Sequence, residues 1–148
     1  MFEGIDYRGN YLYAAGGDTS INVLDISNPT NPILVNSFRP VRDYPFGLTI
    51  KDSLLYVALQ IVGVEVFDIS SPLNPNPVGY YCGPPLCIAL GIGISNDLVY
   101  LAADNGVFIF EYTGGSGTEE KEIQYKNETI SFKCYPTTFS KNIKIELS

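Results

Sequence analysis

Residues 46–81 read FGLTIKDSLLYVALQIVGVEVFDISSPLNPNPVGYY, and the pattern of this stretch recurs once before it and once after, at a step of 43 or 44 residues. Gly4, Gly47 and Gly91 share one phase of the repeat, and Tyr13, Tyr56 and Tyr100 share a second. Asp25-Ile26-Ser27, Asp68-Ile69-Ser70 and Glu111-Tyr112-Thr113 share a third. Asn28-Pro29-Thr30-Asn31-Pro32 returns as Ser71-Pro72-Leu73-Asn74-Pro75 at the same offset.

Within each period the apolar residues alternate over short runs, as they do in half-buried strands. The runs are bounded by turn residues: Arg8-Gly9-Asn10 before Tyr11, Lys51-Asp52-Ser53 before Leu54, and the proline segments before Ile33 and Asn76. The prolines cannot sit in central strands, because each removes a ladder donor. Eleven Tyr and eight Phe also favour strands, and no stretch keeps a helical apolar period. Four short strands in a period in the low forties define a propeller blade. The expected fold is therefore all-β: a partial β-propeller of about three four-stranded blades, over residues 1–38, 44–81 and 87–126, followed at 127–148 by the start of a second β domain. In the third unit, residues 122–125 are expected to supply the last strand. A closed propeller needs at least about four blades, so three units read either as a fragment of a longer chain or as units that assemble with copies of the same chain.

Composition narrows the function classes. The chain has 148 residues, 45% hydrophobic against 17% charged, which is enough to bury a core. A formal charge of -7 with nine scattered basic residues argues against nucleic acid as partner. No apolar run reaches the roughly 18 residues of a membrane span, and residues 1–10 do not read as a signal peptide. With no His in the chain, the usual Ser-His-Asp and Cys-His arrangements are excluded.

The recurring residues read as repeat structure. Asp25, Asp68 and Glu111 each end a strand, where a carboxylate accepts backbone N–H bonds and fixes the following turn. Gly4, Gly47 and Gly91 mark close backbone approach or a bend in the innermost strand. Tyr13, Tyr56 and Tyr100 are placed between neighbouring blades. Cys82 and Cys87 bracket Gly83-Pro84-Pro85-Leu86; they can close a staple across that loop or stand as two free thiols. Asp18, Asp104 and Asn105 give oxygen-rich turns without the ligand spacing of a calcium loop, and Asn127-Glu128-Thr129 matches a glycosylation acceptor. No catalytic residue, metal site or cofactor is expected.

Leu54-Leu55-Tyr56-Val57-Ala58, then Gly63-Val64-Glu65-Val66-Phe67-Asp68-Ile69-Ser70, then Pro72 and Pro75, resemble the LVIVD repeat family, and Ile21-Asn22-Val23-Leu24-Asp25-Ile26-Ser27-Asn28-Pro29 matches almost as well. The likeness covers about residues 4–112. It implies a β-propeller of a bacterial or archaeal surface or secreted protein. Phe132-Lys133-Cys134-Tyr135-Pro136-Thr137-Thr138-Phe139-Ser140, followed by Ile143-Lys144-Ile145, resembles the opening of the C-terminal sorting domain of type IX secretion substrates, with Thr137-Thr138 where that family has Asn-Pro. That resemblance implies export to an extracellular or cell-surface location. The expected function is a non-catalytic propeller presenting a binding or structural surface to a protein or glycan, with other blades of a longer chain as further partners. The alternative is part of a propeller hydrolase or lyase whose active site lies mostly in other blades.

Overall fold

The computed structural model describes residues 2–16, 19–61, 63–82, 88–96, 98–104 and 106–112, together with the backbone of three strands at 123–125, 128–130 and 139–145. Among them there is no helix, and none long and apolar enough to cross a membrane.

Three antiparallel four-stranded sheets and one two-stranded sheet are formed by the described residues. The first blade is a meander of β1 (Phe2–Arg8), β2 (Tyr11–Gly16), β3 (Ile21–Asp25) and β4 (Ile33–Phe38). The second repeats it with β5 (Pro45–Lys51), β6 (Leu54–Leu59), β7 (Gly63–Asp68) and β8 (Asn76–Cys82). The third has β9 (Ala89–Ser95), β10 (Leu98–Ala103) and β11 (Gly106–Tyr112) in the same order. Strand β1 lies against β5, and β5 against β9, so the first strands of the three blades form the inner row from which the sheets extend.

Local chemistry repeats with the blades. The turn after each inner strand holds one residue in the left-handed region, Gly9 (φ 58), Asp52 (φ 54) and Asn96 (φ 49). These are the residue types that tolerate that conformation, which is why RGN, KDS and SND serve the same turn. At the far end of the third strand in blades 1 and 2, Ile26 N–H donates to the Asn10 carbonyl at 2.8 Å and Ile69 N–H to the Ser53 carbonyl at 2.8 Å. The proline segments close as turns through Asn31 N–H to the Asn28 carbonyl and Asn74 N–H to the Ser71 carbonyl, both 3.0 Å.

One strand assignment differs from the sequence expectation. The fourth place in the third sheet is taken by β14 (Phe139–Ile145), which pairs antiparallel with β11 from Val107↔Ile145 to Tyr112↔Phe139. Residues of the expected segment 122–125 instead form β12 (Ile123–Tyr125), paired with β13 (Glu128–Ile130). Length explains the choice: β11 has seven residues of edge to satisfy, β14 has seven and β12 only three.

The core lies between blades. Tyr13, Ile21 and Val23 of blade 1 pack against Leu48, Leu55 and Phe67 of blade 2. Tyr56, Val64 and Val66, from the other face of blade 2, pack against Val99, Leu101 and Phe108 of blade 3. Alternation along each strand sends successive side chains to opposite faces, so one blade serves two interfaces. Across the first interface Phe38 meets Phe67 edge-on, with ring centroids 5.1 Å apart.

Candidate binding groove on the loop face

Two blade phases deal with the polar ends of the strands. The Asp25 carboxylate accepts from Ser27 N–H and the Asp68 carboxylate from Ser70 N–H, each at 2.8 Å. Those bonds hold both groups below the usual carboxylate range, and both carboxylates point to solvent. Glu111 occupies the same phase at the end of β11, but its side chain lies outside the described residues, as do Cys87 and the side chain of Cys82. The backbone of Cys82 pairs with Gly63. Asp18 and Asn105 also lie outside, while Asp104 accepts from Ile88 N–H at 3.0 Å, tying one loop to the next turn. Among the described residues no three metal-ligating side chains gather.

The inner strands explain two of the glycines by contact. A Cβ on Gly4 would stand 3.1 Å from the Gly47 Cα and 3.1 Å from Leu48 N, and one on Gly47 would stand 3.3 Å from the Gly91 Cα. The same atom on Gly91 would meet nothing within 4 Å. Tyr13 is 1% exposed in the first interface and Tyr56 4% in the second, whereas Tyr100 is only half-buried on the open face of blade 3.

The singular chemistry lies elsewhere, where the repeat is broken. Residues 39–44, Arg39-Pro40-Val41-Arg42-Asp43-Tyr44, join β4 to β5 and replace the loop Gly83-Pro84-Pro85-Leu86-Cys87-Ile88 between blades 2 and 3. Four anchors fix the loop. Val41 N–H donates to Glu65 Oε2 at 3.1 Å, Ile61 N–H to Asp43 Oδ2 at 2.7 Å, and Gln60 N–H to the Tyr44 carbonyl at 3.0 Å. The Arg42 guanidinium lies 3.4 Å over the Tyr80 ring centroid, a cation–π contact.

Glu65 is the unusual member of this set. Its phase is held by Asn22 in blade 1 and Phe108 in blade 3, and it is 3% exposed in the middle of β7. Burial pushes its carboxyl above the usual range, opposed by the Val41 N–H and the nearby Arg42 charge. A buried carboxylate needs partners, and the loop supplies them. The side chain therefore works as an internal post for the loop.

The outer side of this loop, together with Thr19, lines an open groove of about 400 Å³. Thr19 has φ 75, a left-handed conformation rarely adopted by a β-branched residue. Tyr44 is 55% exposed, and Arg39 and Arg42 are exposed on either side of Pro40 and Val41. Between residues 1 and 112 the basic side chains are Arg8, Arg39, Arg42 and Lys51, so two of four stand on this one loop. Since Asp43 accepts a backbone N–H, the groove offers two planar guanidinium donors, an aromatic face and a hydroxyl. Such a set suits a carboxylate-bearing ligand with an apolar or ring face. Sequence reasoning missed the groove because its loop occurs once; the available signal was Glu65 at a phase occupied by Asn22 and Phe108.

Meandering four-stranded sheets arrayed around an inner row of strands define a propeller-like arrangement of blades. The LVIVD repeat family model matches residues 3–39 and 47–82, so the chain carries an LVIVD-repeat region. Two computationally designed proteins of known crystal structure share the fold. Ika4 has 14% identity and a TM-score of 0.59, covering 100% of this chain and 92% of its own. Ika8 has 16% identity and a TM-score of 0.57, covering 74% of this chain, which spans only 33% of the Ika8 chain. No curated protein matches the sequence.

Proposed function

We propose that this chain is a non-catalytic binding module of a secreted or cell-surface bacterial protein, and that the groove beside residues 39–44 takes an acidic glycan. The observation that carries the reading is the pair Arg39 and Arg42 on a loop anchored by Glu65 and Tyr80, in a chain of net charge -7. Anchoring lowers the ordering cost of binding, and Arg forks recognise carboxylates in two-point geometry. Exposed Tyr44 supplies a stacking face for a sugar ring. The repeat-structural roles of the phased Gly, Tyr and Asp/Glu residues and the Cys82–Cys87 staple belong to the same proposal. So do the blade region at 1–126 and a sorting-type tail at 127–148, with β14 of that tail completing the third sheet.

The test is calorimetric titration with a soluble polyuronate, against a neutral glucan and an acidic peptide as controls. Binding to the polyuronate should weaken with salt and fall about tenfold or more in Arg39→Ala and Arg42→Ala. Equal binding of the neutral glucan, or no change in either variant, would sink the glycan reading; binding of the acidic peptide alone would replace it with a protein partner. The hydrolase or lyase reading would require turnover of the polymer, and Glu65, the buried carboxyl nearest the groove, is already engaged by Val41 N–H.

A further inference from the structure

Blade 2 shows what each face of this repeat is built to touch. Its Leu48, Leu55 and Phe67 face blade 1, and its Tyr56, Ala58 and Val66 face blade 3. The same phases recur on two faces that no described residue covers. On blade 1, Ile5 and Tyr7 stand 64% and 65% exposed where Leu48 is 6% exposed and Ile50 packs against the first interface. Leu12 and Leu24 on that face are only half-buried, against 0% and 2% for their counterparts Leu55 and Phe67. On blade 3, Ala102 is exposed and Tyr100 half-buried, where Ala15, Ala58, Tyr13 and Tyr56 are buried.

The glycines give a second, independent sign. Gly4 backs onto Gly47 and Gly47 onto Gly91, each so closely that a Cβ would stand 3.1 or 3.3 Å from backbone atoms, tighter than most side chains sit. Gly91 backs onto nothing within 4 Å, so among the described residues the close approach its phase serves elsewhere has no partner.

We infer that a second copy of this chain packs its blade 3 face, with Tyr100, Ala102 and Gly91, against the blade 1 face carrying Ile5, Tyr7 and Gly4. The occupant follows from continuity with the two internal interfaces: the blade 1 face takes the tyrosine-and-alanine face of a neighbouring blade, and the free surface of that pattern is on blade 3. The contact is head-to-tail, so copies add in one direction and either close into a ring or extend.

Sedimentation velocity of the 148-residue chain across a concentration series tests this. The chain should pass from monomer to dimer and higher species as concentration rises. Tyr7→Glu, which would bury an unpaired charge, and Ala102→Glu should each weaken association by about tenfold or more, while circular dichroism retains the strand signature. Mixing the two variants should restore a one-to-one dimer, because each keeps the face the other has lost. Gly91→Ala should weaken association without lowering the melting temperature of the dilute monomer. A chain that stays monomeric throughout, variants that keep the wild-type distribution, or a mixture that fails to pair would each overturn the inference.

Discussion

Blades 1 and 2 have nearly the same strand lengths, the same turns and the same repeat phases, yet among the described residues only blade 2 has a neighbour on both faces. In blade 2, Val57, Leu59, Val64 and Val66 are all 0% exposed. In blade 1 the inward face is equally buried, with Ile21 and Val23 at 0%, while Ile5 and Tyr7 of the opposite face stand open. Local sequence makes the strands, and the adjoining blade makes the core. This is the behaviour of a repeat array, where stability comes from a term within each unit and a term between neighbours.

The sharpest way to break the comparison is a matched pair of truncations. Phe67→Ala removes a ring that is 2% exposed and meets Phe38 across the first interface, and should cost about 3–5 kcal/mol. Leu24→Ala removes the half-buried counterpart on blade 1 and should cost about 1 kcal/mol, because less apolar area leaves water there on folding. Urea unfolding of both variants measures the difference; equal losses would mean that the two faces are covered alike.

A smaller effect separates the inner strands. Gly4→Ala places a methyl 3.1 Å from backbone atoms of β5, and should cost about 1–3 kcal/mol by forcing the two strands apart. Gly91→Ala meets open space and should change the stability of the monomer by less than about 0.5 kcal/mol. Thermal unfolding at low protein concentration compares them.

The smallest effect is in pH dependence, and its signs are opposite at the two kinds of carboxylate. Glu65 is raised by burial, so its contribution is full below the pKa of the unfolded chain and fades as pH rises through the folded value. Asp25 and Asp68 are lowered by their Ser27 and Ser70 N–H bonds, so their contribution is present above the unfolded pKa and fades as pH falls through the folded value. Glu65→Gln keeps an acceptor for Val41 N–H and should flatten the decline on the neutral side, by about 1 kcal/mol or less. Asp25→Asn should leave that side unchanged and weaken the acid limb. Melting temperature against pH for the two variants checks both signs, and a neutral-side slope that survives Glu65→Gln would contradict the assignment.

The blade plan was legible because it is written more than once: the spacing of Gly4, Gly47 and Gly91 and of the turns at Gly9 and Asp52 needs no outside comparison. The fourth strand of blade 3 was not legible. Its pairing joins β11 to residues some thirty positions away, and the intervening sequence has no phase to count from. The groove was hidden for a related reason, since residues 39–44 occur once and their role depends on Glu65 and Tyr80 from the next blade. Whether a given apolar residue is buried was likewise unreadable, because Ile5 and Leu48 look alike until the neighbour is in place.

Strand-resolved amide hydrogen exchange tests the central claim most directly, since it reads the opening free energy of each blade in one sample. At low concentration the amides of β6 and β7 should exchange slowest, with β2 and β3 clearly faster despite equivalent ladder bonds. Equal protection of blades 1 and 2 in the dilute chain would contradict the claim, because stability would then reside within each sheet and owe little to the blade beside it.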